Sequence, residues 1–279
     1  MQSRLHTLRP FVSLLLLLHC GLAGAVYGGE KLSATVLVKD SLAAPRQEAT
    51  IEAKLLSKGL FRDSPLGGEP VDLVVNGTTA ATGMTGGDGR AVLSFLPSTG
   101  RIVPLQVRVG DSPRVSAAEG QANLVVWERR TPVLVVELSS LMEGPAGLQH
   151  DTKPMPDAAD ELGKLSQFYY GIMYVASVPA GADGFAAATE ARQWLTVHKF
   201  PVGLVLTLSM SEDALGAKID ELHQAGWKAI KTGIGRSKAF AETFLRRRLD
   251  AIVVPEPPAG EAPRKAKVAK EWREVRKKL

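Results

Sequence analysis

From residue 133 onward, short apolar runs alternate with helix-like segments, and this alternation limits the fold more than any other feature of the chain. The runs read "VLVVEL", "GIMYVAS", "GLVLTL", "WKAIKTGIG" and "LDAIVVPE". Between them lie "DAADELGKLSQF", "FAAATEARQWLTVH", "SEDALGAKIDELHQAG" and "SKAFAETFLRRR". A strand followed by a helix and another strand is the unit of a parallel sheet, so this part is expected to be α/β with helices on both faces. In the third helical segment Leu215, Ile219 and Leu222 recur at intervals of four and three, which gives one apolar stripe. Ser211, Glu212 and Asp213 stand at its start, where oxygen and negative charge are favoured, and Gly226 follows its end.

The dipeptides of "RRTP" at 129–132 separate this region from a different pattern. Over residues 32–128, "LSATVLV" and "EATIEAKLL" alternate or are β-branched, and "EPVDLVVNG" ends in Asn76-Gly77, a hairpin dipeptide. Asn76-Gly77-Thr78 also fits a glycosylation sequon, but it is read here as a turn. "RAVLSFL" places Ala91, Leu93 and Phe95 on one pleat, and "IVPLQVRV" and "QANLVVW" follow. About seven short strands in this space suit a β-sandwich. In "GMTGGDGRA", Gly86, Gly87 and Gly89 are expected to supply positive-φ positions around Asp88. That stretch resembles the G-x-T-x-x-D-G-x-A signature of immunoglobulin-like and transthyretin-like modules of bacterial surface proteins. The resemblance implies an immunoglobulin-like sandwich serving as a spacer or adhesion platform.

The amino terminus is a separate segment. Arg4 and Arg9 precede the apolar "FVSLLLLLHCGLAGA", which closes on Ala23 and Ala25 in small-x-small order. This is the layout of a secretory signal peptide over residues 1–25, with an uncleaved anchor as the alternative. The expected location is therefore periplasmic or extracellular, with no membrane span left after cleavage. Cys20 follows His19, where lipid attachment needs a small residue, so lipoprotein anchoring is not expected. Cys20 is also the only cysteine, so a cleaved chain has no disulfide or thiol chemistry. Loss of two arginines with the leader lowers the formal charge from +5 to +3. Much of that excess lies in "PRKAKVAKEWREVRKKL", so no strong nucleic-acid footprint remains. In the same tail Val268, Trp272, Val275 and Leu279 recur at helical spacing, predicting a terminal basic amphipathic helix. The expected domains are thus a signal peptide at 1–25, a sandwich at 26–128 and an α/β domain at 129–279.

The order of elements in the second domain resembles the haloacid dehalogenase superfamily, nearest its lipin and phosphatidate-phosphatase-like branch. The resemblance implies a Rossmann-like parallel sheet with an active site at the strands' carboxyl ends. It places Glu137 where the family has its nucleophilic aspartate and Ser139 where it has its acid/base. Ser140-Leu141 stand for its Gly-Thr pair. Ala176 falls at the phosphate-binding hydroxyl position with Ser177 one step later, and Lys218 matches the family lysine. "KTGIGRSKAF" has the shape of the acidic metal-binding motif, but Arg236 and Lys238 replace the carboxylates.

Those departures decide the expected chemistry. Magnesium needs hard oxygen ligands, and two basic residues reverse the local field. Glutamate is one methylene longer than aspartate, which displaces a nucleophile that must be placed for in-line attack. A serine hydroxyl is a poor acid/base near neutral pH. The expectation is a catalytically degenerate domain without a cofactor, serving as a binding or scaffolding module of the cell envelope. Its expected partner is an anionic small molecule or an envelope component. Lys218, Gly233, Gly235, Arg236, Ser237 and Lys238 are the candidate anion-binding residues, because a helix start binds phosphate or carboxylate. The competing view has Arg236 and Lys238 in solvent or neutralising Glu137. The alternative function is an active phosphohydrolase using Glu137 and magnesium.

Other chemistry is less well supported. No G-x-S-x-G elbow is present. His150-Asp151, Asp157, Asp160 and Glu161 could be drawn as a metal cluster, but "KPMPDAADELGKL" reads better as a helix start with an acidic first turn. His198 and His223 are read as packing or surface residues.

Overall fold

Alternating burial builds the first half of the protein. The computed structural model describes residues 31–59, 63–98, 102–144, 152–179, 181–210 and 213–279. The expected leader with His19 and Cys20, the His150-Asp151 pair, and Ser211-Glu212 lie outside the described residues. The strands of this half are β1 (Leu32–Val38), β2 (Ser41–Ala43), β3 (Ala49–Ser57), β4 (Ser64–Pro65), β5 (Pro70–Val75), β6 (Thr78–Met84), β7 (Arg90–Phe95), β8 (Ile102–Val109), β9 (Val115–Ala118) and β10 (Gly120–Val126). One sheet runs β4-β3-β1-β9 with β7 also on β3, and the other runs β2-β10-β8-β5-β6. Ala49, Ile51, Ala53 and Leu55 of β3 face inward and share a core with Leu73, Leu105 and Leu124 of the other sheet. The strands beyond the expected seven are β2, β4 and β9. Each is too short to show a period in sequence.

Turn chemistry explains two corners. Asn76 and Gly77 take φ of 51° and 78°, so both central residues of the β5–β6 hairpin are left-handed, as a type I′ turn requires. Of the three glycines around Asp88, Gly89 alone has positive φ, at 74°. The Asp88 carboxylate accepts the Arg90 N–H at 3.0 Å and holds that turn.

The second half contains β11 (Val133–Glu137), a 3-10 turn at Leu138–Leu141, α1 (Ala158–Phe168), β12 (Gly171–Val178), α2 (Gly184–Val197), β13 (Leu204–Ser209), α3 (Ala214–Gln224), β14 (Ile230–Gly235), α4 (Lys238–Arg246), β15 (Asp250–Val253), β16 (Lys267–Val268) and α5 (Trp272–Val275). Its six strands pair in parallel in the order β13-β12-β11-β14-β15-β16. Central β11 is buried along its whole length. Leu134 and Val136 pack with Leu162 of α1, Trp194 of α2 and Trp272 of α5. Val133 and Val135 face Ile219 of α3 and Phe244 of α4 on the other side. A strand buried on both faces must be apolar throughout, which is why "VLVV" lacks alternation. Over the described residues the protein is thus mixed α/β, with three sheets and more strand than helix.

Two helix expectations need correction. Asp213 precedes α3 at φ 67° and makes no capping bond, because Arg247 takes its carboxylate at 2.7 Å. The far end of α3 behaves as expected. Gly226 has φ 105°, and the N–H groups of Gly226 and Trp227 return to the carbonyls of His223 and Leu222. The basic tail is not a continuous amphipathic helix. Val268 lies in β16, and the helix is limited to the single turn of α5, whose Trp272 and Val275 are fully buried. Trp272 and Val275 seal the sheet while Leu279 is exposed, and Trp272 Nε1 donates to the Ser140 carbonyl at 3.1 Å.

The sandwich and the parallel sheet share a core. Leu42, Ala44, Val125 and Trp127 pack in the same cluster as Val175 and Leu204. Beside them, Asp40 closes the edge of the parallel sheet. Its carboxylate accepts the Val205 N–H of edge strand β13 at 2.9 Å and the Asn123 N–H at 2.8 Å. Arg192 of α2 pairs with Asp40 at 3.0 Å and also donates to the carbonyls of Val38 at 2.8 Å and Gln121 at 2.7 Å. An edge strand that offers free N–H groups invites pairing with other chains, and this contact removes one such group.

Candidate functional site

In open parallel sheets a crevice forms at the carboxyl ends of the strands where the order reverses. Here that point lies between β11 and β14, and β11 delivers Glu137 to it. The Glu137 carboxylate is buried and fully engaged. Oε2 accepts the backbone N–H of Arg236 at 2.7 Å and of Ser237 at 2.8 Å, while Oε1 accepts the Ser237 hydroxyl at 2.6 Å. Ser237 is also the N-cap of α4, accepting the Phe240 N–H at 3.2 Å. A helix start with free N–H groups favours an anion, and the protein's own carboxylate fills that position.

The two glycines of "GIG" allow this approach. A Cβ on Gly235 would stand 2.7 Å from Glu137 Oε2 and 2.4 Å from the Phe240 ring. One on Gly233 would stand 2.5 Å from the Phe244 ring. Neither glycine has positive φ, so both are required for close packing rather than for backbone conformation.

Arg236 turns its guanidinium away from this carboxylate. It donates to the Gly144 carbonyl at 2.6 Å and to the Met142 carbonyl, tying down the turn that follows β11. Its Nε is buried without a partner. Burial lowers the guanidinium's proton affinity, and the charge of Glu137 partly restores it. Lys218 pairs with Glu221 on its own helix at 2.7 Å, and exposed Lys238 lies 3.9 Å from Glu242. Ser177 is exposed at the end of β12, and Ser139 is partly buried in the 3-10 turn. The buried hydroxyl there is Ser140, which donates to the Glu137 carbonyl at 2.7 Å. Gly235, Arg236 and Ser237 therefore converge on Glu137, while Lys218 and Lys238 are engaged elsewhere.

Of the remaining described candidates Asp160 is exposed, and the others have structural partners. Asp157 pairs with Arg273 at 2.8 Å and Glu161 with Lys164 at 2.7 Å. His198 packs against Trp194 with ring centroids 4.8 Å apart, and His223 Nε2 lies 2.8 Å from the Ile230 carbonyl. Among the described residues, no three His, Cys, Asp or Glu side chains converge as metal ligands.

The seam between the sandwich and α2 offers a different environment. A cleft of about 840 Å³ opens there, within the ~300–1,000 Å³ range of ligand sites. Its floor is the outer face of the second sandwich sheet. Gln106 of β8 and Gln121 of β10 are cross-strand partners and therefore point to the same side. Asn123 follows on that face, Asn76 comes from the hairpin turn, and Gln193 of α2 comes from the opposite wall. Val197 and Val202, 73% and 59% exposed, form an apolar lip. Among the described residues two charged side chains line the cleft. Arg192 is held by Asp40, and Glu119 is exposed. Burial pushes the Asp40 carboxyl above the usual carboxylate range, against the opposing pull of Arg192 and two backbone N–H groups.

Sequence reasoning did not find this second site. Asp40 is a lone acid after an alternating strand, and Arg192 sits among alanines in an ordinary helix. The signal that existed was the pair of outward glutamines on β8 and β10, which becomes visible only once strand register is known.

No family model matches the chain, and no curated protein matches it. Solved structures with some likeness include the D0-D1 domain of intimin, at 16% identity and TM-score 0.25, covering 33% of this chain and 48% of that one. The Yersinia pseudotuberculosis adhesin InvE gives 12% identity and TM-score 0.26, covering 67% and 61%. A 2,6-sialyltransferase from Photobacterium gives 7% identity and TM-score 0.23, covering 80% and 42%. The chain thus spans about half or less of the intimin fragments. At these scores the likenesses carry no functional argument, and the sandwich rests on its own strand pairing. They give no support to membership of the haloacid dehalogenase superfamily, and that expectation is withdrawn. The matching framework was the generic strand–helix alternation of a parallel sheet. The family-specific residues are replaced by a glutamate locked on a helix start and an arginine that braces a turn.

Proposed function

We propose that this chain is an exported, non-catalytic binding protein of the cell envelope, built of a β-sandwich domain and an α/β domain, whose ligand occupies the cleft at their seam. The observation that carries this reading is the contrast between two carboxylates and their surroundings. Glu137, at the position where a parallel sheet usually works, has its oxygens saturated by Arg236 and Ser237. At the seam, Asp40 and Arg192 neutralise one another and leave a polar cleft open beside them. The export component rests on Arg4, Arg9, the apolar run and Ala23–Ala25. Among the described residues no helix is long and apolar enough to cross a membrane.

The test is co-sedimentation of the purified full chain with isolated envelope fractions, compared with a Gln193→Trp variant that fills the cleft. Retention of the parent chain and loss of the variant is the expected outcome. Turnover of a phosphate ester that disappears in Glu137→Gln would overturn the reading.

A further inference from the structure

We infer that the seam cleft binds a neutral, hydroxyl-rich ligand of the short-oligosaccharide class; this rests on the cleft being the ligand site. The first argument is charge. Arg192 already bonds Asp40 and the carbonyls of Val38 and Gln121, so among the described residues the cleft offers no free cation for a phosphate or carboxylate. Glu119 would repel such groups. An anion gains nothing at this site, and a cation meets a single exposed carboxylate.

The second argument is unused hydrogen-bonding capacity. The side-chain amides of Asn76, Gln106, Gln121, Asn123 and Gln193 line the cleft. Among the described residues none of them bonds to another protein group. Each amide carries both a donor and an acceptor, and so does each hydroxyl of a sugar. Gln106 and Gln121 stand side by side on adjacent strands, a spacing of about 5 Å that lets one pair of amides address neighbouring hydroxyls. The lip made by Val197, Val202 and Pro201 gives the apolar surface that the C–H face of a sugar ring requires.

The third argument separates this class from an extended peptide. Peptides commonly bind by adding a strand to a free sheet edge. Under the cleft β8 is paired on both sides, by β10 and β5, while β10 meets β2 only from Leu124 onward and its edge is occupied by Arg192 on the Gln121 carbonyl and Asp40 on the Asn123 N–H. The nearby edge strand β13 has its Val205 N–H taken by Asp40. The cleft therefore presents side-chain amides and not a backbone ladder.

The experiment is calorimetric titration of the full chain with cellotriose, maltotriose and the N-acetylglucosamine trimer. Parallel arms use neutral hexapeptides and inorganic phosphate. Saturable binding of a trisaccharide is expected, lost in Gln193→Trp and weakened about tenfold in the Gln106→Ala/Gln121→Ala double variant, the size of two hydrogen bonds. The side chains of the two glutamines lie on the outer face and make no internal hydrogen bonds, and the backbone bond from Arg192 to Gln121 survives in alanine, so the double variant should melt as the parent does. Peptide or phosphate binding that Gln193→Trp abolishes, without trisaccharide binding, would overturn the ligand class and leave the cleft reading intact. Absence of binding by every probe, or binding indifferent to Gln193→Trp, would overturn the cleft reading as well.

Discussion

The carboxyl end of the parallel sheet and the seam beside the sandwich both present polar groups near a cleft, but they differ in what those groups already hold. At the sheet end Glu137 is embraced by the start of α4, and Arg236 is absorbed by two carbonyls of the preceding turn. At the seam the charges cancel in one buried pair, and the neutral amides face outward with nothing attached. A site is therefore recognised less by which residues converge than by which hydrogen-bonding groups remain free once they have converged.

The strongest way to break the comparison is to attack the seam's buried pair. Arg192→Ala leaves the Asp40 carboxylate without its counter-charge, with both side chains nearly or fully buried. Removing one partner of such a pair costs about 3–5 kcal/mol, so denaturant unfolding should show a loss of that size. A loss below about 1 kcal/mol would mean the pair is open to solvent, as exposed pairs contribute no more than that.

At the sheet end the expected effects are smaller and purely structural. Gly235→Ala drives a Cβ into Glu137 and Phe240 and should cost about 1–3 kcal/mol. Glu137→Gln keeps the shape but exchanges charge-assisted bonds for neutral ones and discards one acceptor, a loss of about 2 kcal/mol. Neither should change ligand affinity at the seam. Ser237→Ala removes the cap of α4 and should cost about 1 kcal/mol. An effect on affinity as large as that on melting would erase the distinction between the two regions.

The smallest effect concerns acid. Hydrogen bonds from Arg247 hold the carboxyls of Asp213 and Asp220 below their usual range. Their folded values lie below the unfolded ones, so their contribution is present above the ordinary aspartate range and is lost as pH falls through the lowered values. Asp40 has the opposite sign: burial raises it, and its protonation on acidification favours the folded state. Arg247→Met should therefore flatten the decline in melting temperature below about pH 4, where free aspartates titrate. An unchanged decline would contradict the assignment.

Much of the architecture was legible in the residues. The alternation in "EATIEAKLL" and the unbroken "VLVV" distinguish a half-buried strand from a central one, and Asn76-Gly77 and Gly226 mark their turns. The tail was misread because Trp272 and Val275 keep helical spacing even when only one turn forms, the rest being claimed by β16. The sheet-end residues were found and Glu137 was read as a partner for Arg236 or Lys218, but the form of the contact was not legible. Sequence places Glu137 and Arg236 far apart, and nothing in it says that the glutamate bonds the arginine's backbone rather than its side chain. The seam was invisible because its amides come from β8, β10, a hairpin turn and α2, brought together only by long-range packing.

One measurement tests the central claim most directly: amide-resolved NMR titration of the full chain, once with a neutral trisaccharide and once with phosphate. The account predicts that the side-chain NH₂ signals of Gln106, Gln121 and Gln193 shift saturably with the saccharide. It also predicts that the backbone N–H signals of Arg236 and Ser237 stay fixed in phosphate. Movement of Arg236 and Ser237 with phosphate, while the cleft amides remain silent to every saccharide, would contradict it.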